Sequence, residues 1–564
     1  MRNDYFSRAC ARGLPILFLS AAAFSCGPAI EPVSPPPSPA SPPNAPTAAT
    51  TPAAPATTAG PSTNPTGSAA SGACSPPNAA QAFASYNSTK PNPPPAPDLL
   101  IEASEEVQKN FPNAPPIQSF AFAQSGGAWV FIGGRAVGFH GFSPPEQDFP
   151  RSSANKNIVV VVPAATGPAK TFTFPVDNLP AALNRVKQQW LATNPVFYQD
   201  GDTLYIGGGY GPDEKGNFIT FPVLSSVNLP ALVKGVTEGK DTFSNTIAWT
   251  ESPLFQTTGG ELLKLPDGNF YVVMGQNFQG LYSKFTGNGE DNSAAASQTY
   301  LKEVRKVQVT RAGTRLAVKS VATFRDENQF GRRDLNVAHT VLKNGDIGIG
   351  VYGGVFTPDP VQLNYYYPLY FTGTDYFIDY SYEQKMSQYS CAKVVFYSTA
   401  QKETLTTFFG GISRFSYDYT INQFSENPRV GVPGLQVFSD GMPWIDTITT
   451  MQMSWDAPQQ TKYNGLPHPV TTATSEQPQP TNRLPGYLGA EAMFIPVPGL
   501  KRYKDGAEVF DYDSLPAGQK THIGYIYGGI EAQPCDANGK QLNSGTIPTQ
   551  SSARILKVYA TRTK

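Results

Sequence analysis

Six times between Ala128 and Ile530 the sequence makes one move, a short apolar strand that runs into glycine. The copies are Ala128–Gly134 (AWVFIGG), Leu204–Gly208 (LYIGG), Phe270–Gly275 (FYVVMG, with Gln276 in the place of a second glycine), Ile349–Gly354 (IGVYGG), Leu405–Gly411 (LTTFFGG) and Ile523–Gly529 (IGYIYGG). Such repetition constrains the fold more than any other feature, because one small unit cannot bury its apolar face without neighbours. A partner strand lies directly upstream of each copy: Ser119–Gln124, Pro195–Gln199, Glu261–Leu265, Asn336–Leu342, Ala392–Tyr397 and Ala492–Ile495. Four of the connecting turns read Ser125–Gly127, Asp200–Gly201, Pro266–Gly268 and Asn344–Gly345, which supply the positive φ that tight hairpins need. The fifth connection is Thr399–Glu403, and the sixth carries a long insertion, Pro496–Lys520.

Each hairpin is the inner half of a four-stranded unit whose remaining strands lie outward. Ile158–Val162 with Thr171–Phe174, Tyr300–Val309 with Leu316–Phe324, and the aromatic run Asn364–Tyr382 supply outer strands for the first, third and fourth units. Ser552–Thr561 reads as the third strand of the last unit, and Leu99–Glu102 as the fourth strand that closes the set. The fold class expected is therefore all-β, a six-bladed β-propeller of the kelch type. Leu179–Ala192 and Pro230–Val236 have helical spacing and read as loop insertions. The span 425–485 is Pro-rich and weakly patterned, with room for a seventh unit but no glycine pair to mark one.

The N-terminus reads as a targeting segment. Arg2, Arg8 and Arg12 precede a short apolar core, Leu14–Phe24, and Ala23–Cys26 (AFSC) resembles a bacterial lipoprotein cleavage site with Cys26 as the lipidated residue. An ordinary secretory signal cut nearby is the alternative. Residues 1–26 are thus a signal peptide, and residues 27–95, built from Pro, Ala, Thr, Ser and Gly, a disordered tether that cannot bury enough surface to offset its ordering entropy. Residues 96–564 form the propeller. The expected location is the bacterial cell surface or outer membrane, with membrane contact only through the lipid. The net charge of −1 gives no electrostatic reason to bind nucleic acid. Of the cysteines, Cys391 and Cys535 fall in the last two repeats and are the pair that could form a disulfide, and no Cys-x-x-Cys points to zinc.

Three stretches carry a more specific likeness: Arg332–Asn336 (RRDLN) with Val351–Phe356 (VYGGVF), Leu488–Ala490 with Phe494–Pro496, and Gly524–Ile530 with Thr549–Ala553. Together they resemble large secreted kelch-repeat proteins of bacteria, over roughly residues 115–564. The resemblance implies a secreted propeller at the cell surface and brings no catalytic residues.

Propellers bind ligands at the channel mouth, where inner strands begin and the loops after the glycines gather. Arg332, Arg333 and Asp334, with Asn336 opening the strand, are the densest polar cluster at such an entry. Glu491 stands at the matching entry of the last repeat, and Gln276 and Asn277 follow the third. Paired guanidiniums beside a carboxylate can grip carboxylates or sugar hydroxyls; the same three charges could equally latch adjacent blades together. Tyr365, Tyr366 and Tyr367 could stack on sugar rings or fill an interface. Four histidines, His140, His339, His468 and His522, are too few and too scattered for a radical-copper site. Gly287–Asn292 lacks the spacing of a calcium loop. No cofactor or metal is expected. These features favour a monomeric, non-catalytic module that recognises a glycan or protein. A carbohydrate-active enzyme of epimerase or mutarotase type, using Arg332, Arg333 and Glu491, is the first alternative, and a structural envelope or coat component the second.

Overall fold

A computed structural model describes residues 98–139, 150–281, 296–358, 364–380, 382–418, 423–426, 444–454, 476–533 and 549–563. The signal segment, the tether, Cys26, His140, His468, Gly287–Asn292 and Cys535 lie outside the described residues. The described chain is all-β, apart from short helical insertions.

Six antiparallel four-stranded sets follow one another along the sequence. Their inner strands are Ala121–Ser125, Thr193–Asp200, Glu261–Lys264, Asn336–Val341, Ala392–Ser398 and Ala492–Pro496. Each pairs with the strand that carries the glycines: Ala128–Ile132, Thr203–Pro212, Phe270–Val273, Ile347–Tyr352, Glu403–Ile412 and Lys520–Gly528. Third strands are Asn157–Val162, Val223–Asn228, Glu303–Ala312, Leu369–Phe371, Trp444–Ser454 and Ile555–Arg562. The outermost are Lys170–Pro175, Ala248–Glu251, Arg315–Arg325, Tyr376–Ile378, Glu476–Arg483 and, for the last set, Leu99–Glu106. The strand expected at Leu99–Glu102 is thus paired as expected, from Leu99 opposite Arg562 to Glu106 opposite Leu556. The weakly patterned span holds no seventh set among the described residues; Trp444–Ser454 and Glu476–Arg483 complete the fifth, and Gln423–Glu426, at its edge, pairs with Phe415–Asp418 in a two-stranded ribbon.

The inner strands touch in cyclic order. Gln124 N donates to Gln199 Oε1 and Gln199 Nε2 donates back to Gln124 O, both at 2.8 Å. Lys264 pairs with Asp200, His339 Nε2 donates to Lys264 O (2.9 Å), and Cys391 N donates to Asn336 Oδ1 (2.9 Å). Glu491 N donates to Ser390 O (2.6 Å), and Gln124 Nε2 returns to Pro496 O (3.0 Å), joining the last set to the first. Apolar clusters fill the spaces between neighbouring sheets, one of them between the last sheet and the first (Trp129, Phe131, Ile495, Tyr527 and Ile555). Sheet-on-sheet burial of such faces is the main stabilising term.

The glycine pairs make this close approach possible. At Gly208 a Cβ would lie 2.0 Å from Thr257 O, in the lead-in to the next sheet; at Gly528 it would lie 2.6 Å from Ile117 O, in the lead-in to the first. Both have positive φ, where a side chain is strained in addition. The equivalent pairs are Gly133–Gly134, Gly208–Gly209, Met274–Gly275, Gly353–Gly354, Gly410–Gly411 and Gly528–Gly529, with φ of 54–73° at the first residue and 82–94° at the second. Two registers differ from the sequence reading. The second pair ends at Gly209, not Gly208, and in the third repeat Met274 takes the first position. Gln276 therefore follows the pair instead of belonging to it.

The helical insertions are shorter or longer than their spacing suggests. The first is a helix only over Asn184–Trp190 after a 3-10 turn at Ala181–Leu183; the second runs Leu229–Glu238, capped by Asn228 Oδ1 accepting from Ala231 N (3.0 Å). The long insertion after Pro496 crosses the hairpin end of the inner strands. Tyr198 OH donates to Gly506 O (2.8 Å), Glu508 N donates to His339 Nδ1 (3.0 Å), and Phe510 pairs in parallel with Phe396. Its Ala507 and Val509 are buried in the cluster that includes Tyr198, Leu263 and Leu265. The insertion therefore lies across that end of the inner strands as a stopper segment.

Candidate functional site

At the opposite end, the residue directly ahead of Phe120-Ala121, Pro195-Val196 or their equivalents is left-handed in every repeat. These residues are Ser119, Asn194, Gly259, Asp334, Ser390 and Glu491, with φ between 23° and 65°. Their backbones link in succession: Asn194 N to Ser119 O (3.0 Å), Gly259 N to Asn194 O (3.4 Å), Asp334 N to Gly259 O (2.7 Å), Ser390 N to Asp334 O (3.0 Å) and Glu491 N to Ser390 O (2.6 Å). Five non-glycine residues in this conformation is a cost of order 1 kcal/mol each. The hydrogen-bonded collar they build offsets it, and polar residues dominate the positions because they tolerate αL best.

Above the collar is an open cavity of about 50 Å³, lined by Gln118, Arg135, Thr193, Gln276, Arg333 and Tyr389 together with the collar's Ser119, Asn194, Asp334 and Glu491. Below it lies a second space of about 60 Å³, reaching Glu261, Lys393, Phe197 and Met493 and sharing those four collar residues. Four residues of the collar thus lie between the mouth and an inner chamber. In the chamber, Lys393 and Glu261 pair at 3.1 Å. Burial raises the Glu261 carboxyl, and the charge of Glu261 raises Lys393 against its own desolvation.

Of the residues singled out from sequence, Arg333, Asp334, Gln276 and Glu491 come together at the mouth. Asp334 Oδ2 accepts from Arg333 Nη1 and from Tyr389 OH (2.8 Å). The Arg333 guanidinium lies 5.1 Å from the Phe356 ring centroid, a cation–π distance. Gln276 Oε1 accepts from Gln298 Nε2. Glu491 is partly accessible. Burial is the largest cause raising its carboxyl to about 8; the Asp334 charge adds to this and Arg135 opposes it.

Arg332, Asn336 and Asn277 are elsewhere. Arg332 is fully buried, donating to Gln329 O (2.7 Å), Gly353 O (3.0 Å) and Tyr367 O (2.8 Å) beneath the Tyr365 ring (4.5 Å). Desolvation lowers its guanidinium to about 9, and its donors are committed to backbone, so it braces the fourth sheet. Asn336 ties the fourth sheet to the fifth through Gln388 O and Cys391 N. Asn277 accepts from Gln279 on the short strand Gln276–Gln279. Of the three tyrosines, Tyr365 stacks on Arg332 and is buried. His339 is buried and His522 half-buried, each within a strand. Cys391 is a buried thiol, pushed up to about 12 by desolvation.

Sequence reading missed Arg135, Gln118, Ser119, Asn194, Thr193 and Tyr389. Arg135 had a signal, since it directly follows the first glycine pair as Gln276 follows the third. The lead-in residues had none, because their shared backbone geometry leaves no common side chain. No group of three or more His, Cys, Asp and Glu among the described residues could hold a metal ion.

No family model matches the chain, and no curated protein matches it. A solved structure titled "Structure of YjhT" aligns with a TM-score of 0.38 and 13% identity, covering 78% of this chain and 99% of that chain.

Proposed function

We propose that residues 96–564 are a six-bladed kelch-type β-propeller that recognises a glycan or protein through the mouth at its collar. Six consecutive four-stranded sets, with glycine pairs seated on the neighbouring lead-in and the last set touching the first, support the propeller reading. On the sequence readings, the propeller is a bacterial cell-surface or outer-membrane lipoprotein, held by Cys26 and the tether of residues 27–95, and it works as a monomer.

One observation carries the functional reading. Polar side chains from different repeats converge on one cavity at the collar, while the insertion after Pro496 crosses the hairpin end of the inner strands. A concave site with a few convergent polar groups is the usual form of a recognition site. Its Arg333–Asp334–Tyr389 unit offers fixed donors and acceptors for hydroxyls. The test is a glycan array and a turnover screen on the purified propeller. Binding that Arg333→Ala weakens at least tenfold, without product, supports recognition; silence on both arms refutes it and leaves the structural-component reading.

A second reading, a carbohydrate-active enzyme of epimerase or mutarotase type, is favoured by the two carboxyl groups of one mouth in unlike surroundings. Asp334 is ion-paired and Glu491 raised to about 8, and acid–base catalysis uses such contrasts. Product formation abolished by Glu491→Gln in a folded protein would favour it over recognition.

A further inference from the structure

Hydrogen-bond direction along one side-chain relay determines the state of Glu491. Gln118 Nε2 donates to Val137 O (3.1 Å) and Gly138 O (3.0 Å). Carbonyls only accept, so the Gln118 amide cannot be turned the other way, and its Oε1 must face Ser119 Oγ. Ser119 Oγ also lies 2.9 Å from Glu491 Oε2. A hydroxyl has one proton. If Ser119 gave it to Glu491, two lone-pair oxygens, Ser119 Oγ and Gln118 Oε1, would oppose each other in a buried place. Ser119 therefore donates to Gln118, and the hydrogen between Ser119 and Glu491 has to come from Glu491.

We infer that Glu491 is a neutral carboxylic acid at neutral pH, donating through Oε2 to Ser119 and leaving Oε1 as an uncharged acceptor at the collar. The mouth then selects uncharged donor groups, hydroxyls above all, over ammonium groups. This selectivity rests on the recognition reading; the protonation of Glu491 does not.

The charges that face Glu491 agree with the relay. Asp334 and Glu261 disfavour a third negative charge; Arg135 favours it, and so would the Ser119 hydroxyl were it turned to donate to Glu491. Arg333 is drawn to Asp334, and Lys393 to Glu261. Above about pH 8 the proton leaves, the relay loses its first donor, and a carboxylate stands beside Asp334. The mouth then gains attraction for cations.

The relay also makes a prediction of unusual sign. A serine that donates to a carboxylate stabilises the charged form; a serine that accepts from the acid stabilises the neutral form. Removing Ser119 therefore lowers the midpoint of Glu491 if the relay is right.

The experiment is carbon NMR of the carboxyl groups in glutamate-labelled propeller, with the Glu491 resonance assigned by its loss in Glu491→Gln. It should sit at the protonated position at pH 6.5 and titrate no lower than about pH 8, and Ser119→Ala should move that midpoint down. Gln118→Leu, which also frees the serine proton, should do the same. A resonance already ionised at pH 6.5, or a midpoint that rises in Ser119→Ala, overturns the relay. Methylammonium is the ligand probe. It should bind about tenfold tighter at pH 9.5 than at pH 6.5, the gain of one favourable charge contact, and Glu491→Gln should abolish the gain. An equal gain in that variant overturns the selectivity. Silence on the glycan array would overturn the recognition reading while leaving the titration of Glu491 in place.

Discussion

His339 joins the stopper segment to the ring of inner strands in a way that depends on its charge. Its Nε2 faces Lys264 O at 2.9 Å and its Nδ1 faces Glu508 N–H at 3.0 Å. One partner only accepts and the other only donates, so a single neutral tautomer fits both. Protonation would set Nδ1–H against Glu508 N–H. Desolvation lowers the ring below its usual 6.5; the Glu508 carboxylate opposes this and Arg502 adds to it, with Tyr198 edge-on at 6.0 Å. The folded state therefore binds a proton less readily than the unfolded chain. Stability present above pH 6.5 is lost as pH falls, at about 1.4 kcal/mol per pH unit until the folded ring itself titrates. By pH 5.0 the loss is capped at about 2 kcal/mol, the limit in which the folded ring stays neutral throughout. Replacing His339 with Leu removes this dependence but orphans two buried backbone groups, a cost of about 2–5 kcal/mol at pH 7.5. Urea midpoints of both proteins at pH 7.5, 6.5, 5.5 and 5.0 measure this. The two curves should converge as pH falls. Parallel curves would refute the argument, because another group would then carry the acid sensitivity.

Two further outcomes follow from packing. Gly529→Ala places a Cβ 2.5 Å from Ala490 O and 2.7 Å from Ala492 Cβ, whereas Gly127→Ala at nearly the same φ meets nothing within 4 Å; the first should cost at least about 2 kcal/mol more in denaturant melts, and equal losses would show that the pairs answer to φ and not to crowding. Truncating the chain to begin at residue 108 strips Leu99–Glu106 from Ile555–Arg562 and uncovers the cluster that holds Leu99, Ile101 and Ala103, so the protein should melt far below the untruncated chain; an unchanged melting temperature would mean that this strand adds nothing.

Most of the strand framework was legible because its signals are local. Alternation, hairpin glycines and apolar runs act within a few residues, so all six inner strands fell within two residues of their observed bounds, while the glycine-bearing strands of the second and sixth repeats run three or four residues beyond the bounds read from sequence. The outer strands of the fifth sheet were not legible: Trp444–Ser454 is buried on both faces, so it does not alternate, and Glu476–Arg483 carries two prolines. At the site, Arg333 and Glu491 could be read because a charge at a strand entry stands out. Arg332 misled, since its neighbour shares its type and only backbone direction separates a mouth-lining guanidinium from one spent on carbonyls. Ser119 and Gln118 carry the most information in the relay, yet as residue types they are unremarkable. Their meaning comes from a left-handed backbone and from a contact with Glu491 across 372 positions of sequence.

The pairing of Leu99–Glu106 with Ile555–Arg562 also sets an order of events. Chains are made from the N-terminus, so Leu99–Glu106 waits for its mate until Ile555–Arg562 has been made. Through that interval its Leu-Ile-Ala face has no sheet to lie in, and an unpaired apolar edge invites association with other chains. A nascent copy halted anywhere before residue 555 cannot latch, however many of its inner hairpins have formed. The pairing thus acts as a check on synthesis: no chain that stops short of Ile555–Arg562 can complete its last sheet.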